Sequence, residues 1–359
     1  FGNNTYLRSD MYHQYAPFMK EFQRNIKEGG SLLYTWNTGL GNNLASTYAY
    51  YLASPANWLV GLFPDDLVPE FMNLMIVIKS GLMSSFFAYY LIRKYRKNNY
   101  ISTVFGCFYA MSAYMAAYSW NVMWLDCLVL FPLILMGLEA LVGKGRYRLY
   151  FISLAVCIIS NYYISIMICI FLIFYFIYLL AVNAPLMSKT DIIHRCTLAV
   201  VISFAAGCAA MFVVLPAFFN LFITASADSS FPSNMTAYYN VLEMLTKGVI
   251  NSEITMFSGH LPNIYSTMAL FMLAPMYWIS RRVPAREKAG KTVLLCLLAF
   301  SFMFNIPTYI WHGFHFPNSL PCRYSFIFIF ISTITTFYFF CNRFFAFSRR
   351  IQKLLIIHV

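Results

Sequence analysis

The strongest constraint on this chain is a succession of nine apolar runs, at about 70–92, 101–118, 122–142, 148–161, 164–182, 196–220, 264–280, 292–307 and 324–341. A bilayer crossing takes about 20 predominantly apolar residues, and a helix satisfies its own backbone where lipid offers no partner. The pattern therefore predicts an all-α polytopic integral membrane protein with about nine transmembrane helices. Several runs are short, notably 148–161, which implies thinned bilayer, unseen ends or shielding by neighbours. Gly81, Pro132, Gly207, Pro216 and Pro275 interrupt the runs, and adjacent helices are expected to satisfy the freed backbone groups.

Charge placement orients the runs. Only 11 % of residues are charged, against about 25 % in soluble domains. The net charge is +12, but no basic stripe interleaved with exposed aromatics is present, so nucleic acid is not expected as a partner. The basic residues gather between alternate runs. The clusters are Arg93, Lys94, Arg96 and Lys97; then Lys144, Arg146 and Arg148; Lys189 and Arg195; Arg281, Arg282, Arg286, Lys288 and Lys291; and Arg343, Arg349, Arg350 and Lys353. If all nine runs cross, these share one side, which the positive-inside rule makes cytoplasmic. Asp10, Glu21, Glu28, Asp65, Asp66, Asp228, Glu243 and Glu253 fall on the other. The nine cysteines sit in or beside apolar runs and none makes a CxxC pair, so they read as packing residues.

The outer side then holds three long segments, 1–69, 221–263 and 308–323. In the first, Tyr15, Phe18, Met19, Phe22 and Ile26 recur at helical spacing opposite Lys20, Glu21, Arg24, Lys27 and Glu28. This predicts an amphipathic helix in the outer interface, with the stretch 58–63 lying there too. The expected division is an outer loop with interfacial helices over 1–69 and a transmembrane core over 70–359. The opening Phe1-Gly2-Asn3 is expected to follow a first helix, and Leu354–Val359 reads as a helix cut near its start.

Candidate chemistry clusters on that side. Asp10 opens the amphipathic helix: it is either an N-cap or a general base, since apolar walls raise a carboxylate's proton affinity. Tyr12, His13 and Gln14 follow directly. Asn37, with Gly39 and Gly41, marks a tight turn, either a plain surface turn or a close approach to a ligand. Of the outer cations Arg8, Lys20, Arg24, Lys27, Lys247 and Arg323, the last stands at the mouth of the final apolar run, either as a ligand-facing cation or in an interfacial snorkelling role. Asp126 and Asn161, near outer helix ends, would line the cavity or bond within the bundle and its turns. His260, His312 and His315 are too dispersed to predict a metal site. No cofactor is evident, and no Gly-rich nucleotide loop occurs.

Five separated blocks carry a resemblance: S-D-M-Y-H-Q-Y-A-P-F, Y-T-W-N-T-G-L-G-N-N, Y-Y-L-A-S-P-A-N-W-L, W-N-V-M-W-L-D and L-P-C-R-Y-S-F. Together they resemble the bacterial YfhO membrane-protein family over nearly the whole chain. The resemblance implies a GT-C-like fold and a glycosyltransferase using a polyprenyl-phosphate-linked sugar. Its acceptor would be a cell-envelope glycopolymer such as lipoteichoic acid. The setting would be the bacterial cytoplasmic membrane, multi-pass, with the active site extracytoplasmic among membrane lipids. In that scheme the catalytic carboxylate follows the first helix, which is where Asp10 stands. The rival readings are a transporter or flippase, which needs polar groups at mid-membrane such as Lys79, and a non-catalytic scaffold.

Overall fold

A computed structural model describes residues 5, 7, 9–96, 100–221, 230–317 and 319–357, with residues 221 and 342–357 in backbone alone. Arg8, Lys97 and Asp228 lie outside the described residues, as do the side chains of Arg343, Arg349, Arg350 and Lys353.

The segment ahead of the apolar runs folds onto one end of a helical bundle. Met11–Tyr15 forms a turn of π-helix that continues into α1 (Ala16–Glu28), with Pro17 in its first turn and Gly29 closing it at φ 73°. A small hairpin pairs β1 (Tyr34–Thr35) with β2 (Asn42–Asn43). Then come α2 (Leu44–Thr47), a second π turn (Tyr48–Leu52) and a 3-10 helix (Pro55–Leu62). The apolar stripe of α1 is covered by protein: Phe22 is fully buried, packing edge-on against Trp58 and tilted against Tyr48. Gln23 donates to the Val60 and Phe63 carbonyls at 2.9 Å. The two stretches expected side by side in the interface instead close on each other, because each supplies the other's apolar cover.

Every apolar run becomes helix, and the chain is mostly helical. The helices are α3 (Val68–Tyr95), α4 (Tyr100–Ala110), α5 (Ala113–Tyr118), α6 (Val122–Lys144), α7 (Arg148–Ser160), α8 (Tyr162–Asn183) and α9 (Lys189–Leu221). After the short α10 (Val241–Thr246) follow α11 (Met268–Ile279), α12 (Ala285–Met303), α13 (Asn305–Trp311) and α14 (Ser325–Ile357). Four stretches are long and apolar enough to cross a membrane: Asp65–Tyr95, Val122–Lys144, Tyr162–Leu186 and Lys189–Asn220. Arg148–Ser160, Met268–Ile279 and Ser325–Cys341 are shorter apolar helices.

Two runs are broken, and the chemistry of each break is visible. The run 101–118 parts at Ser112, whose backbone is extended, and Ala113 N–H donates to the Tyr265 carbonyl at 2.7 Å. The run 292–307 parts at extended Phe304. Pro307 has no N–H to give the carbonyl four residues back, and that carbonyl, Met303 O, accepts from Tyr238 N–H at 2.8 Å. Pro132 works the same way without breaking α6. The Leu128 carbonyl it frees accepts the Tyr109 hydroxyl at 3.1 Å, a neighbouring helix doing what the sequence demanded.

The far end of the bundle has its own polar cluster. Lys94 pairs with Glu139 at 2.6 Å, and the Tyr90 and Tyr175 hydroxyls donate to the same carboxylate oxygen at 2.7 and 2.5 Å. Lys291 pairs with Glu287 at 2.9 Å beneath the Tyr277 and Tyr338 rings. The first cluster joins α3, α6 and α8, and the second joins the start of α12 to α11 and α14.

Close packing of α6 on α7 depends on Gly137. A Cβ there would stand 2.5 Å from the Tyr150 nitrogen and 2.6 Å from its Cα, both backbone atoms that cannot rotate away. Gly137→Ala is expected to lower stability by about 1–3 kcal/mol. Gly143→Ala in the same helix, with nothing within 4 Å, should be neutral or stabilising by up to about 1 kcal/mol. Melting temperatures in detergent compare the two; equal values would remove the packing argument.

Candidate functional site

The Tyr15 side chain, at the end of the first π turn, is met by the second π turn and by the link between α5 and α6. Tyr15 is buried, donates its hydroxyl to Asn121 Oδ1 at 2.8 Å, stacks on Trp120 and leans on Tyr51. Burial drives its hydroxyl pKa up, Tyr50, Tyr51 and the Asp10 carboxylate add to this, and the Arg323 guanidinium opposes them. Asp10 and Arg323 thus act electrostatically on one hydroxyl group from two distant parts of the sequence. Tyr51 is shifted upward as well, by burial, then by Tyr50 and Asp10, while a hydrogen bond with Gln14 pulls the other way.

Asp10 is exposed at the start of the first π turn and makes no capping hydrogen bond. The residue before it, Ser9, takes φ 46° although it is not glycine. A π turn next to a left-handed residue is a local departure of the kind that concentrates at functional sites.

Arg323 is held from several directions. Its Nε and one terminal nitrogen donate to the carbonyls of Leu320 and Ser319 at 3.2 and 3.1 Å, and the other nitrogen donates to the Tyr163 hydroxyl at 3.1 Å. The guanidinium carbon lies 5.2 Å from both the Trp124 and Tyr163 ring centroids. Among the described residues, three of its five N–H groups are thereby engaged and two are left in the same fixed plane, a fork suited to an oxyanion. The loop that presents it is strained: Leu320 and Cys322 have φ of 58° and 52°. The Tyr114 hydroxyl holds Arg323 O at 2.9 Å and the Tyr118 hydroxyl holds Pro321 O at 2.7 Å. Such strain persists only where surroundings over-determine it.

Two histidines flank this cation without adding charge at neutral pH. Burial and then Arg323 push His312 down to about 3, and the same causes lower His315, whose ring lies 5.6 Å from that of Tyr163. His312 Nδ1 is 2.7 Å from the Thr308 carbonyl, and its Nε2 has no partner among the described residues. Among the described residues no three His, Cys, Asp or Glu side chains come together as metal ligands, and all nine cysteines are free thiols.

The other residues singled out from the sequence divide. Gln14 joins the Tyr51 side of the site. Tyr12 and His13 are exposed, pack edge-to-face at 5.2 Å, and line a separate cleft of 990 Å³ with Lys20, Arg24 and Asn37. Asn37 donates to both Glu21 carboxylate oxygens at 3.2 and 3.1 Å. Asp126 is ion-paired with buried Lys79 at 2.6 Å inside the bundle. Asn161 uses both halves of its amide within the chain: Oδ1 caps α8 through Ile164 N–H, and Nδ2 donates to the Tyr50 carbonyl at 3.0 Å. It therefore positions the second π turn from behind. Reading the sequence missed Tyr15 as a site member, whereas Tyr163 stood in the Asn161-Tyr162-Tyr163 turn expected to line the cavity. Tyr15 was counted in the amphipathic stripe, and only its 2.8 Å bond to Asn121 reveals its role.

Comparison with known proteins adds one finding. No match was found among curated proteins or among solved structures. The family model described as bacterial membrane protein YfhO matches residues 1–359, the whole chain. This protein belongs to the YfhO family of bacterial membrane proteins.

Proposed function

We propose that the protein is a GT-C-like glycosyltransferase with nine membrane crossings. It would act on the outer face of the cytoplasmic membrane and move a sugar from a polyprenyl-phosphate donor to an envelope glycopolymer. The observation that carries this reading is a chain of ring contacts from Tyr163, which Arg323 bonds, through Tyr50 and Tyr51 to Tyr15, at the end of the π turn that exposed Asp10 opens. Asp10 takes the proton of an acceptor hydroxyl as its oxygen attacks the anomeric carbon; the bond from that carbon to phosphate oxygen breaks with inversion. The two uncommitted N–H groups of Arg323 meet the charge developing on the departing polyprenyl phosphate. Gln14, beside Tyr51, orients donor or acceptor, while Tyr12, His13 and Asn37, in the separate cleft, take no part in the step. The sidedness rests on the positive-inside rule, with the basic clusters cytoplasmic.

A carrier reading draws on the Lys79–Asp126 pair, buried between two long apolar helices. The deciding assay follows labelled sugar from polyprenyl-phosphate donors to acceptors in membranes containing the full-length protein. Transfer above that of empty membranes is expected. Absence of transfer across several donors and acceptors, with uptake or lipid scrambling in liposomes instead, would replace the enzyme by the carrier.

A further inference from the structure

A second cavity, of 440 Å³, lies against the other side of the loop that presents Arg323. Its volume is in the lower part of the range of about 300–1,000 Å³ for small-ligand sites. Ser319, Pro321 and Cys322 form one wall, while the next residue, Arg323, aims its guanidinium at Tyr163 and Trp124. On the facing wall His260 lies flat on Tyr238, with ring centroids 3.8 Å apart and planes within 9°. Exposed Phe257 and Phe316 complete the rim. Thr236 brings a hydroxyl group to the lining, as does Ser319.

The lining defines the ligand class. No Lys, Arg, Asp or Glu faces the cavity among the described residues, so nothing there matches a phosphate, a carboxylate or a cation. His260, its most basic group, is shifted below its ordinary pKa by burial and is uncharged at neutral pH. What the cavity offers is a flat aromatic stack, further rings at the rim and neutral hydrogen-bonding groups. A pyranose ring has the complementary surface: an apolar face of C–H bonds and an edge of hydroxyl groups. The wall is also firmly placed, because Leu320 N–H donates to Met256 O at 2.7 Å and the Cys322 thiol donates to His260 O at 3.4 Å.

We infer that the Tyr238–His260 cavity binds an uncharged pyranose unit, adjoining the Arg323 loop but separate from the proposed reaction centre. The inference deepens the glycosyltransferase reading and rests on it only for which molecule carries the sugar. A unit held there touches Ser319, whose carbonyl accepts from Arg323, so its occupancy and the pose of the guanidinium share one piece of backbone.

Saturation-transfer NMR on the full-length protein in nanodiscs tests this without requiring turnover. Methyl β-glucopyranoside, methyl α-galactopyranoside and methyl N-acetyl-β-glucosaminide are offered in turn. At least one should show saturation of its ring protons. His260→Ala and Phe257→Ala, both at exposed positions that leave the fold intact, should each weaken binding about three- to tenfold. Competition by a short-chain polyprenyl-phosphate sugar would assign the site to the donor, and its absence to a unit of the acceptor polymer. Silence from all three glycosides, or binding untouched by both aromatic variants, would overturn the inference. A sugar-binding protein that transfers nothing would leave this site standing and remove the enzyme instead.

Discussion

Arg323→Lys is expected to lower the rate of sugar transfer by about a hundred- to a thousandfold while the protein stays folded. Lysine keeps the charge, so the expected loss comes from geometry. Arginine holds its fork in one plane through Ser319 O, Leu320 O and the Tyr163 hydroxyl, leaving two N–H groups already aimed. A lysine ammonium is a compact point charge on a flexible stem and cannot reproduce that plane. If the cation meets charge only as the phosphate departs, the loss falls on kcat, with KM for the donor little changed. A variant with wild-type kcat would show that Arg323 takes no part in leaving-group stabilisation. A rise in KM alone would restrict it to donor binding. Tyr163→Phe, which removes one of the three holds, should give an intermediate loss.

Asp10→Asn should abolish most transfer, by about a hundred- to ten-thousandfold, at unchanged protein level and melting temperature. The unchanged stability follows from the structure, since the Asp10 side chain is exposed and caps no helix nitrogen. Asparagine has nearly the same shape but no basic oxygen, so the substitution isolates proton abstraction from steric effects. Labelled-sugar transfer measured beside wild type decides the point. Normal transfer by a well-folded Asp10→Asn protein would exclude the carboxylate as the base.

Much of this architecture is readable from residue order alone, because the helices follow from the apolar runs and lipid permits little else. The breaks are partly readable. Pro307 announces an unsatisfied carbonyl at Met303, but nothing local reveals that Tyr238, a residue of the outer segment, will fill it. The site divides similarly. Asp10 and Arg323 stand out as charges beside apolar runs, where their presence demands explanation. Tyr15, Tyr51 and Tyr163 do not, in a chain where 19 % of residues are aromatic. Their significance comes from contacts such as Tyr15–Asn121, 106 residues apart. Asp126 shows the converse. As a lone charge near a helix end it left a ligand and a bond within the bundle both open; the partner that decides for the bundle, Lys79, lies on another helix at no spacing a sequence pattern would reveal.

The two broken runs bear on how the outer segment behaves as a unit. The amide protons of Ala113, Tyr238 and Asn305 are held by Tyr265, Met303 and Thr236 respectively, so each bond joins the segment to the end of an apolar helix. Freeing the segment would strip those helix ends of their bonds at the same moment. These amides therefore belong to one cooperative opening event with a shared hydrogen-exchange rate, slower than that of a loop tethered only at its ends.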